Sequence, residues 1–223
     1  MAITTQVVCV KSFPFPPAPP GCVVVKVGGS LYDHPALGPG LLEYLGALDA
    51  RRILIVAGGG GVGDAVREWD SVHSLGDEVA HQLALIGLQV PILFLLSLLA
   101  PGDLMAAVAT ETEWWEGSGS RPRVLGLLAS TFLSRLEETV GPVPHSWDLT
   151  TDSIAAYAAA AAKCPLVLLK SSAIPSGTSW EEAATRGYVD EHFPIVVATY
   201  GLQVTAVDFR GWLDGPRAVP DSK

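Results

Sequence analysis

Two lysines stand where lysines are costly. Lys26 lies inside Cys22-Val23-Val24-Val25-Lys26-Val27, and Lys170 ends Pro165-Leu166-Val167-Leu168-Leu169-Lys170. A buried ammonium without a partner costs several kcal/mol, so each must meet an anion or let its stem carry the charge to the strand end. Lys26 is followed at once by Gly28-Gly29-Ser30, and Lys170 by Ser171-Ser172. A second glycine cluster, Gly58-Gly59-Gly60-Gly61, follows the apolar run Arg52-Ile53-Leu54-Ile55-Val56-Ala57. Without Cβ atoms, backbone N–H groups approach phosphate oxygens closely, and a helix N-terminus behind such a turn adds partial positive charge. Neither cluster has the spacing of a Walker A loop or of a dinucleotide-binding loop. No acidic residue ends a second strand to hold a ribose, which argues against a dinucleotide-dependent oxidoreductase. A third segment, His145-Ser146-Trp147-Asp148-Leu149-Thr150-Thr151-Asp152-Ser153, opens an alanine-rich stretch. Thr151 or Asp152 suits a helix cap there. In the functional reading, Asp152 orients a phosphate-binding lysine or a magnesium ion, while His145 and Trp147 touch substrate. Two strand-end lysines, two glycine nests and one loop aspartate form the parts of phosphoryl transfer without a covalent enzyme intermediate.

The elements that must position these residues follow from pattern. The β-branched runs at 22–27 and 52–57 show no alternation, as in strands buried on both faces of a parallel sheet. Similar runs at 123–128, 165–170 and 204–208 predict further strands. Helices are expected at 40–48, 76–88 and 152–163. Val62, Ala65, Val66 and Trp69 share one helical face. The apolar run from Pro91 to Ala100 is too short for a spanning helix, which needs ~20 residues, and reads as a buried one. Strands alternating with helices give an α/β layer architecture with a mainly parallel sheet.

The 223 residues carry 49% hydrophobic and 17% charged side chains with a mean hydropathy of +0.36, which excludes a disordered chain and fits one core. A net charge of −9 repels nucleic-acid backbones but leaves room for a nucleotide held by local positive charge. Cys9, Cys22 and Cys164 are too widely spaced for a metal pair or a disulfide framework, and suit a reducing cytoplasm. Neither a membrane nor a metal site is expected. Residues 1–21, with Phe13-Pro14-Phe15-Pro16-Pro17, read as an extended tail, with an edge strand at Gln6–Val10. The domain spans 22–214, residues 215–223 form a second tail, and 111–122 an exposed loop. So much apolar sequence at 83–88 and 91–100 predicts a homodimer joined through the 76–100 region.

Lys26-Val27-Gly28-Gly29-Ser30, then Gly58-Gly59-Gly60, then Thr150-Thr151-Asp152-Ser153, in this order, resemble the amino acid kinase family. The resemblance implies a three-layer αβα sandwich and ATP-dependent phosphorylation with Mg²⁺. Further elements, at His81-Gln82-Leu83-Ala84, His145-Ser146-Trp147 and Val189-Asp190-Glu191-His192-Phe193-Pro194, are similar to the branch that phosphorylates an aminomethylfuran phosphate in methanofuran biosynthesis. By this resemblance Lys26 and Asp152 are catalytic, with Asp152 organising the lysines. Gly28, Gly29 and Ser30 line the donor phosphates. Gly58, Gly59 and Gly60 face the acceptor, a small phosphomonoester or carboxylate, together with Arg67, His145, Ser146 and Trp147. The chain departs from the family after Leu169, where Lys170-Ser171-Ser172-Ala173-Ile174-Pro175 replaces a Thr-Asp-Val-Asp-Gly loop, and a later family lysine is missing. Lys170 and Ser171 are therefore expected at the donor phosphates, Lys170 in place of that lysine. The competing reading is a non-catalytic nucleotide-binding or regulatory protein on the same fold.

Overall fold

The structure is a computed structural model and describes residues 20–99, 108–109 and 124–215. The N-terminal tail before residue 20, the 111–122 loop, the residues after 215 and Cys9 lie outside this set.

Six strands form one sheet in the order β3-β4-β2-β1-β5-β6, and every neighbouring pair is parallel. They are β1 (Cys22–Val27), β2 (Arg52–Ala57), β3 (Val108–Ala109), β4 (Val124–Leu127), β5 (Leu166–Lys170) and β6 (Val204–Asp208). Around them run α1 (Leu37–Ala47), α2 (Gly60–His73), α3 (Asp77–Gly87), α4 (Gln89–Leu99), α5 (Ala129–Val140), α6 (Thr151–Ala162), α7 (Trp180–Thr185), α8 (Phe193–Tyr200) and α9 (Phe209–Asp214). Parallel strands need long crossovers, and helices supply them.

Alternation along the central strands sorts the core into two halves. Val23, Val25, Val27, Ile53, Ile55, Val167 and Leu169 face one side, with Leu41 of α1, Leu95 of α4 and Phe209 of α9. Val24, Leu54, Val56, Leu166 and Leu168 face the other, with Phe132 of α5, the alanines of α6 and Val196 of α8. The expected three layers are thus present. All twelve residues of α6 are buried. Its alanines let the helix backbone lie close on β1, β2 and β5.

Helix α4 is only partly buried. Pro91, Ile92, Leu95 and Leu96 pack inward on β2 and β4, whereas Val90 and Phe94 face outward. Leu88 keeps a helical backbone between α3 and α4, so the two run almost end to end. Together, Asp77–Leu99 are 23 residues long and apolar enough to cross a membrane by length and composition. The short apolar run read from the sequence is thus one half of a longer helical stretch.

Candidate active site

The pleat puts both lysines on the α6 side. Lys26 follows Val24 at a spacing of two, and Lys170 follows Leu168 in the same way on β5, whose Leu168 is in register with Lys26. Asp152 sits in the first turn of α6, above the C-terminal ends of these strands. Lys26 Nζ lies 2.9 Å from Asp152 Oδ1. Lys170 Nζ donates to both carboxylate oxygens, at 2.9 and 2.8 Å. Lys26 and Asp152 are each only 5% exposed. Asp152 is not the helix cap: both its oxygens are spent on the ammoniums.

Burial alone would push the Asp152 carboxyl up, but Lys26 and Lys170 outweigh it and hold the pKa below the usual carboxylate range. Lys170 moves the other way. Burial first and repulsion from Lys26 second push it down to about 8, although Asp152 and, less strongly, Asp190 oppose both. Two ammoniums are bonded to one carboxylate, and Asp190 acts on Lys170 only at longer range, so the pair can still take a further anion.

The two glycine turns press on each other beside this triad. A Cβ on Gly29 would stand 2.2 Å from the Gly60 nitrogen, so no other residue fits there. Gly60 has φ +52°, and a Cβ on it would meet the Tyr32 ring at 2.7 Å. Tyr32 locks the junction by donating its hydroxyl to the Gly58 carbonyl at 2.7 Å. The amides of Gly28 and Gly58 are spent on the carbonyls of Leu169 and Val27. Gly28 therefore shapes the turn through its backbone.

The site has two sides. On the β1–β2 side, a cavity of about 200 Å³ is bordered by Lys26, Gly29, Gly58, Gly59 and Gly60, the first two turns of α2 with Arg67, and α3. Ser146, Trp147, Thr150 and Thr151 close it. Arg67 lies over the Trp147 ring at 4.6 Å, and the indole N–H donates to Asp70 at 3.2 Å. On the β1–β5 side, Ser30 and Ser171 hydroxyls meet at 2.8 Å, and Arg210 of α9 donates to the Ser30 carbonyl and to Asp33. Chain connections leave β1 toward β2 and β5 toward β6, so this edge is a topological switch point of the kind where open α/β sheets bind ligands. The sequence-derived residues thus gather at one end of the sheet. His145 alone stands back: it contacts Glu78 and Glu137 and does not border the cavity.

The donor set suits a polyphosphate: two buried ammoniums, glycine turns and a helix N-terminus. It does not suit a divalent cation held by protein. Both Asp152 oxygens already accept from ammoniums, and among the described residues no three His, Cys, Asp or Glu side chains cluster as a metal site.

Asp190 enters the sequence reading only as part of the Val189–Pro194 resemblance, and its role comes from the fold. Asp190, between α7 and α8, accepts from the backbone and hydroxyl of Thr150, the backbone and hydroxyl of Ser153, and the Phe193 amide. It caps α6 from across the fold and so fixes the turn that carries Asp152. Apart from Phe193, its partners lie about forty residues away in sequence, so the local segment does not announce them.

No known family model matches the chain, and no curated protein gives a significant sequence match. Solved structures do match. Uridylate kinase from Archaeoglobus fulgidus superposes with a TM-score of 0.55 at 12% identity, over 87% of this chain and 96% of that one. UMP kinase from Bacillus anthracis gives 0.50 at 16% identity, over 88% of each chain. The chain has the amino acid kinase fold. The expected architecture is therefore correct in class, layers and parallel sheet.

Proposed function

We propose that this chain is an ATP-dependent phosphotransferase acting on a small phosphomonoester or carboxylate. One observation carries the reading: two lysines on adjacent strands share a single buried aspartate beside two abutting glycine turns. The kinase names of its structural neighbours support it. ATP would supply the phosphoryl group, held on the β1–β5 side by Ser30, Ser171 and Lys170. Lys26 and Lys170 would offset charge on the migrating group, Asp152 would keep their ammoniums together, and the cavity beside Arg67 would take the acceptor. Any Mg²⁺ would ride on phosphate oxygens.

The finer reading, a kinase in methanofuran-type one-carbon cofactor synthesis, rests on the sequence elements alone. The non-catalytic alternative is favoured by the 170–175 loop, which lacks carboxylates.

ADP release with Mg²⁺ and ATP, across phosphomonoester and carboxylate acceptors, tests the proposal. Activity should require an acceptor and fall 100-fold or more in Lys26→Ala, on the order of one lost transition-state charge contact. ATP binding without acceptor-dependent turnover would support the alternative.

A further inference from the structure

Beside the cavity, α3, α5 and the 145–147 loop are tied by a cluster with no part in the scheme above. His145 Nδ1 lies 2.6 Å from Glu78 Oε2, and its Nε2 lies 2.7 Å from Glu137 Oε1. Both ring nitrogens face carboxylates, so both donate, and the ring is an imidazolium. The two carboxylates also push its pKa up. Glu137 is held in turn by the Val143 amide, and Glu78 by Gln82.

On this fixed cation lies a second imidazole. His81 stacks on His145 with centroids 4.3 Å apart and planes 7° from parallel. Its exposure is 8%, and it borders the cavity. Among the described residues nothing hydrogen-bonds to its ring nitrogens. Buried polar groups are almost always paired, so this ring awaits a partner in the cavity it borders. Burial first, then repulsion from His145, hold its pKa below the ordinary range, although Glu137 and Glu78 oppose this. A neutral imidazole offers one donor and one acceptor, which suits an uncharged polar group and not a second anion.

We infer that His81 is a specificity-determining residue of the acceptor cavity, whose ring exchanges a hydrogen bond with an uncharged polar group on the acceptor, and that His145, clamped between Glu78 and Glu137, positions it. This rests on the cavity being the acceptor site. The acceptor is then two-ended: an anion toward Arg67 and Lys26, and a hydroxyl, amide or ring N–H toward His81.

Calorimetric binding of phenyl phosphate and 4-(hydroxymethyl)phenyl phosphate tests it without requiring turnover. The parent should prefer the hydroxylated probe by roughly five-fold, the scale of one neutral hydrogen bond. His81→Phe keeps the flat stack; it should erase the preference while leaving phenyl phosphate affinity within about two-fold. Should that variant fail to fold, His81→Leu serves in the same assay. For His145, the ring-proton NMR titration of His81 should move to higher pH in His145→Phe, which keeps the stack and removes the charge. Equal binding of the two probes by the parent, or a preference that survives in the variant, overturns the assignment of His81. An unmoved titration overturns the role of His145. If neither probe binds the parent, the acceptor-cavity reading falls and this inference with it. Acceptor-dependent ADP release with no probe discrimination would leave the kinase reading standing and remove only the role of His81.

Discussion

The chemistry rests on a charge imbalance that three residues cannot settle among themselves. Asp152 supplies one negative charge to two buried ammoniums. Lys170 bears the strain, with its pKa pushed down from 10.5 to about 8 by burial and by Lys26. The consequences for function and for stability have opposite signs. As pH rises through about 8, the folded protein loses the Lys170 proton and, on the proposed reading, the charge that would hold the donor phosphates. Nucleotide affinity should fall over that range, and Lys170→Arg should hold its own affinity flat through it. The unfolded chain keeps the proton up to about 10.5, so it binds more protons between these values. The Lys170 contribution to stability therefore rises from about pH 8 to about pH 10.5. Nucleotide titrations at several pH values, beside urea melts, separate the two trends.

At the scale of elements, α6 decides where Asp152 stands, and a distant carboxylate decides where α6 begins. Asp190 gathers Thr150, Ser153 and Phe193, so Asp190→Asn should cost about 3 kcal/mol, since one oxygen cannot replace two charged acceptors. Urea unfolding measures that loss; an unchanged midpoint would show that the cap is redundant. Such relations explain what could be read in advance. The strands at 22–27 and 52–57 announced themselves because burial on both faces leaves almost only apolar residues, against which Lys26 stood out; the edge strand at 204–208 is only half-buried and was legible from its β-branched residues. Residues 165–170 did the same, and the alanines of α6 marked a helix. Helix α1 starts at Leu37, three residues earlier than expected, because Gly38 and Pro39 fit its first turn, where proline lacks no needed amide. Helix α5 carries a readable pattern, with Ala129, Phe132, Leu133 and Leu136 on one buried face, whereas α8 is apolar nearly all round, so its periodicity is lost. Asp190, Glu78, Glu137 and Tyr32 acquire their partners only when the chain is folded. His145, singled out as a substrate contact, stacks on His81 and bonds to Glu78 and Glu137, partners that no local motif shows.

At the scale of the whole molecule, one flank is unusually apolar. Trp69 and Val72 of α2, Val79 and Ile86 of α3, and Val90 and Phe94 of α4 are all exposed, between 37% and 68%. Scattered singly they would mean little, but these three helices pack on one another. A two-fold homodimer through α3 and α4 remains the expected assembly, and Ile86→Lys should shift it toward monomer in light scattering at micromolar concentration. A parent that is already monomeric there would contradict it. The flank lies beside the cavity at the strand ends, since α2 and α3 supply both.

The central claim is that Lys26, Asp152 and Lys170 form a buried cradle for the phosphates of ATP. Calorimetric ATP binding to the parent and to Lys170→Met tests it most directly, because methionine keeps the stem packing and removes only the charge. The parent should bind ATP with an affinity that weakens as salt rises. Lys170→Met should bind roughly ten-fold more weakly or worse, the scale of one charge-assisted contact, and with a shallower salt dependence. Equal affinity and equal salt dependence in the two proteins, or no ATP binding by the parent, would contradict it.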